Sequence, residues 1–199
     1  MTLILGTERL ILRPFQEDDL TTFLDYRSDP EIARYQGWEM PYTLEKARAF
    51  LAEMQAAQPG KPPGQWYALA IEPLEIGKIA GDVQFYLLER DPRQAEIGCT
   101  LARTYQGKGY ASEATRRLLD YLFFELDLHR VQANCDPENY AAVQAMESVG
   151  MRREGHFIEN LWFRGDWTGE YWYAILQREW MEIRQRRSNT GVEQIQHRI

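Results

Sequence analysis

Residues 105–114 read Tyr105-Gln106-Gly107-Lys108-Gly109-Tyr110-Ala111-Ser112-Glu113-Ala114, and no other stretch constrains the chain as much. It joins a strand-like segment, 95–101, to a long segment, 110–126, in which Ala111, Ala114, Leu118, Tyr121 and Leu122 recur at helical spacing. Gly107 and Gly109 accept backbone angles that other residues avoid, and without side chains they admit a ligand to the main chain. The unpaired N–H groups of the helix start then face whatever lies in the turn. That end carries roughly half a positive elementary charge, so a phosphate is its natural occupant. Taken alone, a Gly-x-Gly pair is more often a plain reversal of the chain; the surrounding elements must decide.

Working outward, 66–71, 78–87 and 96–101 read as strands, the second alternating with Ile79, Gly81, Val83, Phe85 and Leu87 on one side. A polar turn is expected over 90–93, around Pro92. Downstream, 130–134 is a short strand, and Asp136-Pro137 opens a helix that buries Ala142, Val143, Met146 and Val149 and ends at Gly150. Segments 153–164 and 166–176 form a hairpin around Arg164-Gly165-Asp166. Toward the N-terminus lie a strand at 9–13, a helix over 17–26, a helix start at Asp29-Pro30-Glu31 and a helix capped by Thr43. Glu113, four residues before Arg117, predicts a surface ion pair. The order is strand, helices, three strands, helix, strand, helix, two strands: a single mixed α/β domain over 1–187, followed by a polar, disordered tail over 188–199. It is not the regular alternation of a doubly wound dinucleotide fold. Nor does Gln106-Gly107-Lys108-Gly109 meet the P-loop pattern.

The 199 residues are 44% hydrophobic, enough for one sizeable core, and carry a formal net charge of −7. That balance excludes broad binding to nucleic acid or anionic membrane and favours cationic small molecules or basic peptide ends. No apolar run approaches the ~20 residues of a membrane span. Cys99 and Cys135 both lie in apolar strand-like runs, which suits a reducing cytoplasm, and the three histidines stand apart, so no metal site is expected. Trp162, Trp167, Trp172 and Trp180 are expected in the core, with Trp162 able to reach a cleft from the hairpin.

The element order, with Gln106, Gly109 and Ala111 filling the fixed places of an Arg/Gln-x-x-Gly-x-Gly/Ala signature, resembles the GNAT superfamily of acetyl-CoA-dependent N-acetyltransferases. The likeness spans about residues 7–180. Residues 7–13 (Thr-Glu-Arg-Leu-Ile-Leu-Arg), 95–98 (Ala-Glu-Ile-Gly), 134–139 (Asn-Cys-Asp-Pro-Glu-Asn) and 150–155 (Gly-Met-Arg-Arg-Glu-Gly) look like the branch containing the ribosomal-protein N-terminal acetyltransferases. The resemblance implies a twisted, mainly antiparallel mixed sheet of about seven strands with helices on both faces and one splayed strand pair. It implies that main-chain groups of Gln106, Gly107, Lys108, Gly109, Tyr110 and Ala111 hold the diphosphate of acetyl-CoA. Thr100 and Leu101 then hold its pantetheine arm as an added strand would, and polarise the thioester. Asn139 matches the family asparagine that bonds the cofactor; a plain helix cap is its alternative. Many relatives are dimers, so a homodimer is implied.

Transfer to an amine needs the neutral amine, which an α-amine at pKa ~8 supplies in part near neutral pH and a lysine-like amine at ~10.4 does not. Glu96 alternates away from Ala95, Ile97, Cys99 and Leu101 and so is the candidate general base, an exposed strand carboxylate being the alternative. Asp82 and, more weakly, Glu159 are the other candidate acids. Tyr35 and Trp38, in the region that caps the acceptor site in this family, are candidate acceptor-binding residues beside Asp82; Trp38 can stack on a cation. The chain departs from the family pattern where Met146 and Ala142 stand in place of hydroxyl residues that protonate the leaving thiolate, leaving Tyr140, Cys135 or water for that task. The acceptor stays open among a protein N-terminus, an aminoglycoside-like antibiotic and a small cationic amine. A catalytically weak acyl-CoA-binding module is the rival from another class.

Overall fold

The computed structural model describes residues 2–196. Its strands are β1 Leu5–Gly6, β2 Leu10–Arg13, β3 Tyr67–Pro73, β4 Gly81–Leu88, β5 Asp91–Leu101, β6 Arg130–Cys135, β7 Arg152–Phe163 and β8 Asp166–Leu176. They form one eight-stranded sheet in the order β1-β2-β3-β4-β5-β6-β8-β7, one strand more than expected because the two-residue β1 adds an edge. Only β5 and β6 pair in parallel. A parallel pair needs a long crossover, which α4 (Tyr110–Asp120) and the π turn Tyr121–Glu125 supply. In the π turn Leu126 N donates to Tyr121 O, and the wider winding buries the consecutive Tyr121, Leu122 and Phe123.

Strand periodicity sorts the side chains into two cores. Tyr67, Leu69, Ile71, Val83, Phe85, Ala95, Ile97, Val131, Ala133, Tyr173 and Ile175 face α4 and share a core with Trp180 of α6 (Gln177–Gln196). On the opposite face Ala68, Ala70 and Ile79 meet Phe15, Phe23, Tyr26, Ile32, Ala47, Leu51 and Met54, from α1 (Leu20–Ser28), α2 (Pro30–Ala33), α3 (Leu44–Ala56) and the segment before them. Ile79 therefore lies on the other side from Val83 and Phe85. The alternation breaks at Gly81, where a Cβ would stand 2.0 Å from Thr100 O. Only a residue without a side chain lets β4 approach β5 so closely.

Several local expectations hold and several shift. Asp29 caps α2 by accepting from Glu31 N, and Thr43 caps α3 by accepting from Lys46 N. Gly150 ends α5 (Tyr140–Val149) at φ 99°. The turn expected over 90–93 falls earlier, because β5 begins at Asp91; Pro92 is tolerated there, before pairing with β6 starts at Gln94. The helix expected from Asp136-Pro137 starts only at Tyr140, with Asn139 as its cap. Trp162 and Trp167, expected in the core, are 59% and 55% exposed and pack edge-on against each other across the hairpin. The tail expected over 188–199 falls partly within α6, and its last three residues lie outside the described ones. Among the described residues no helix is long and apolar enough to cross a membrane.

Candidate active site

Pairing between β5 and β6 runs Gln94–Arg130, Ala95–Val131 and Glu96–Gln132, and stops there. Beyond that rung β5 stays with β4 as far as Gly81–Leu101, while β6 stays with β8 as far as Cys135–Tyr171. The two strands therefore part into a fork, and Ile97 to Leu101 on one side face Ala133 to Cys135 on the other across a cleft of about 670 Å³. Ala111 and Thr115 of α4 floor its inner end, and Asn139, Ala142 and Met146 of the α5 segment wall it.

The glycine turn follows Leu101, at the end of β5 where the fork is open. Gly107 and Gly109 take φ 73° and 79°, and a Cβ on Gly107 would meet nothing within 4 Å. Gly109 is the N-cap of α4 and no side chain caps it, so the first-turn amides at Tyr110, Ala111 and Ser112 have neither an intrahelical nor a side-chain acceptor. These amides fit an anionic group, and the fork beside them fits a narrow extended chain. The residues present thus suit a ligand with a diphosphate at one end and a thin arm at the other.

A clamp the sequence did not announce shapes this turn. Arg9 of the loop before β2 donates to Lys108 O at 3.1 Å and to both Glu113 oxygens, and lies over the Tyr110 ring at 5.0 Å. Thr7 Oγ1 donates to Glu113 Oε1 at 2.6 Å. Glu113 is thereby taken from Arg117, which pairs with Glu125 instead, and the expected Glu113–Arg117 pair is not made. Burial pushes the Glu113 carboxyl up, but Thr7 and Arg9 outweigh it and hold it below its ordinary range. A depressed carboxyl contributes stability in full above its unfolded pKa, and loses it as pH falls through the folded one. Glu113→Gln should therefore cost about 0.5–1 kcal/mol at pH 7. In thermal melts from pH 7 to pH 3, the difference from the parent should shrink below about pH 4.5. A pH-independent difference would contradict the clamp.

The expected site residues divide. Tyr35, Glu96, Thr100, Leu101, Gln106, Ala111 and Asn139 all line the cleft. The Gln106 side chain is already committed, however: its Nε2 donates to Leu101 O at 3.0 Å, so it braces the turn against β5 and occupies that carbonyl. Asn139 Oδ1 accepts from Ala142 N and caps α5. Tyr110 turns its ring into the core and donates to Glu75 Oε1, leaving only its backbone at the turn. Lys108 is exposed, with Nζ 5.3 Å from the Tyr105 ring centroid. Tyr35 Oη donates to Glu138 O, and Arg34 pairs with Glu138, which ties the end of α2 to the β6–α5 loop across the cleft mouth.

Three of the acid and acceptor candidates are not brought to the cleft. Asp82 is 0% exposed; it accepts from Tyr26 Oη at 2.6 Å and pairs with buried Arg27 at 3.1 Å. Trp38 lies over the Arg27 guanidinium at 4.0 Å and donates to Arg27 O, so its ring already carries a cation from the chain itself. Both belong to a buried ion pair under α1–α3 and not to an acceptor pocket. Glu159 sits in a bulge of β7 at φ 48° and does not line the cleft.

Glu96 accepts from Tyr86 Oη and from Gln132 Nε2, each at 3.0 Å. Four further carboxylates line the cleft, those of Glu31, Asp136, Glu138 and Glu170, and among the described residues no lysine, arginine or histidine does. Both thiols at the fork are held protonated. Burial, with help from Asp136, pushes Cys135 up to about 12, and burial also raises Cys99.

Comparison with known proteins agrees with this geometry. A family model described as an acetyltransferase (GNAT) domain matches residues 9–152. An uncharacterized N-acetyltransferase of Bacillus subtilis, YnaD, is 38% identical over 174 residues, 87% of this chain and 97% of its own. The spermidine N(1)-acetyltransferase of Vibrio cholerae is 35% identical over 103 residues, 52% of this chain and 60% of its own. Among solved structures, a GNAT-family acetyltransferase of Bacillus anthracis superposes with a TM-score of 0.77 at 32% identity, covering 89% of this chain and all of that one. The chain belongs to the GNAT acetyltransferase family and is an N-acetyltransferase.

Proposed function

We propose that the protein moves the acetyl group of acetyl-CoA directly to the primary amine of a small acceptor that carries a second positive charge. The observation that carries the donor half is the fork. Strand pairing ends at Glu96–Gln132, and the opening leads to the uncapped, glycine-bounded start of α4. The diphosphate then rests on amides 110–112, the arm lies along β5, and Asn139 keeps its Nδ2 for the ligand while Oδ1 caps α5.

The acceptor half rests on charge. A cleft walled by Glu31, Glu96, Asp136, Glu138 and Glu170 raises the local concentration of cations, and a second positive charge finds a carboxylate while the first loses its proton. In the reaction the amine nitrogen attacks the thioester carbonyl carbon, the N–C bond forms, the C–S bond breaks and the CoA thiolate leaves. The nitrogen's surplus proton passes to Glu96. A route through an acyl-cysteine is disfavoured, because Cys99 and Cys135 are both held as thiols. With Ala142 and Met146 at the wall, Tyr140 is the phenol nearest in sequence to return a proton to the thiolate.

Calorimetry with acetyl-CoA tests the donor half, and an absence of binding overturns it. Thiol release is then followed with 1,4-diaminobutane, butylamine, an aminoglycoside and a peptide with a free N-terminus. The diamine should exceed butylamine at least about tenfold in kcat/KM, with the advantage falling as salt is raised. A peptide or an aminoglycoside as the best acceptor would overturn the acceptor half.

A further inference from the structure

Three polar side chains form one row across three neighbouring strands. The antiparallel register sets Tyr86 of β4 opposite Glu96 of β5, and the parallel register sets Gln132 of β6 beside it. All three point away from the core that holds their neighbours Phe85, Ala95, Ile97, Val131 and Ala133. Tyr86 Oη and Gln132 Nε2 both donate to a single oxygen, Glu96 Oε2. Gln132 is only 6% exposed, in a place where an apolar side chain would be cheaper to bury, so its amide has a reason to be there. Trp66 packs edge-on against the Tyr86 ring at 4.5 Å and fixes the direction of the phenol. This row is also the last rung before the strands part.

The geometry points to Tyr86 and Gln132 as positioning residues for Glu96: two donors on Oε2 fix the direction of the carboxylate and leave Oε1 for the proton of the acceptor amine. The inference rests on the role proposed above for Glu96. A base held in one rotamer by two donors meets the amine in the geometry that proton transfer needs, and losing one donor lets the carboxylate turn. Tyr86 remains a donor throughout, since burial, and after it the charge of Glu96, push its phenol up to about 12, with Arg90 opposing. The other titratable groups facing the cleft are Glu31 and Tyr35 near α2, Cys99 of β5, Cys135, Asp136 and Glu138 at the end of β6, Tyr140 of α5 and Glu170 of β8. They are common to every variant below and cancel in the comparison.

The test is steady-state kinetics with acetyl-CoA and 1,4-diaminobutane in the full-length parent, Tyr86→Phe and Gln132→Met, with Glu96→Gln beside them. In each variant kcat should fall at least about tenfold, with KM for the diamine unchanged within about threefold, because Oε2 loses one of the two donors that fix the carboxylate. The calorimetric affinity for acetyl-CoA should stay within about twofold of the parent. A kcat unchanged in both variants overturns the positioning role; a merely structural contact would lower stability and leave kcat where it was. Should one variant fail to fold, the other decides. Glu96→Gln also separates the two readings. Parental turnover in that variant sinks the role of Glu96 itself, whereas turnover lost there but parental in Tyr86→Phe and Gln132→Met sinks only the assignment of Tyr86 and Gln132.

Discussion

Asp82→Ala should lower the stability of the protein by about 3–5 kcal/mol, the cost of leaving a buried charge without its partner. Arg27 is the charge left behind. Its side chain is 5% exposed, its Nη2 reaches both Asp82 oxygens at 3.1 Å, and its Nε already has no hydrogen-bond partner among the described residues. Trp38, Phe23 and Phe50 surround the guanidinium at 4.0–5.2 Å and offer ring faces but no acceptor. The loss concentrates on the α1–α3 layer, because Tyr26 Oη also donates a hydrogen bond to Asp82 and Trp38 Nε1 is anchored on Arg27 O. Denaturant unfolding measures it, and a loss below 1 kcal/mol would contradict the buried pair. The double variant Arg27→Met/Asp82→Ala should recover much of the deficit, since replacing both members by apolar groups removes the uncompensated charge.

The same ion pair shows where the sequence is legible and where it is not. The glycine turn could be read from ten residues because its parts are adjacent in the chain: positive-φ glycines, a helix start and the strand before it. Strand alternation placed Val83 and Phe85 correctly, and it placed Glu96 on the face opposite Ala95 and Ile97. It failed at Ile79, since the switch at Gly81 depends on how closely Thr100 of another strand approaches. Asp82 looked like an acid on a polar face only because its partner Arg27 lies 55 positions away. Trp38 looked available for a ligand because the cation that fills its face comes from α1. In the same way Glu113 and Arg117 stand at a favourable spacing within α4, yet Arg9 arrives from a distant segment with better geometry and takes the carboxylate. At the start of α5, Asp136-Pro137 and Asn139 offered two competing caps, and Asn139 won by accepting from Ala142 N. The point at which β5 and β6 part is set by three-dimensional pairing alone, so the sequence could supply the two strands but not the fork between them.

Replacing Glu96 with glutamine should reduce kcat by about 10²–10⁴-fold, the usual range for losing a positioned general base, with the affinity for acetyl-CoA unchanged within about twofold. The substitution preserves shape and burial. Tyr86 can still donate to the amide oxygen, so the β4–β5–β6 row keeps most of its packing and stability should fall by no more than about 1 kcal/mol. What disappears is the ability to accept a proton. An aliphatic amine, whose pKa is near 10.4, is almost wholly protonated at neutral pH, and a neighbouring carboxylate wall makes it more so. The deficit should consequently be largest near pH 7 and narrow as pH approaches the acceptor's own pKa, where solvent has already removed the proton that Glu96 would take. Initial rates with 1,4-diaminobutane from pH 6.5 to pH 10 measure both features. A variant that turns over within threefold of the parent at pH 7, or a deficit that stays constant across the range, would assign the proton transfer to another group. Asp82 is excluded from that role by its burial against Arg27, which leaves Glu31, Asp136, Glu138 and Glu170 as the carboxylates that face the same cleft.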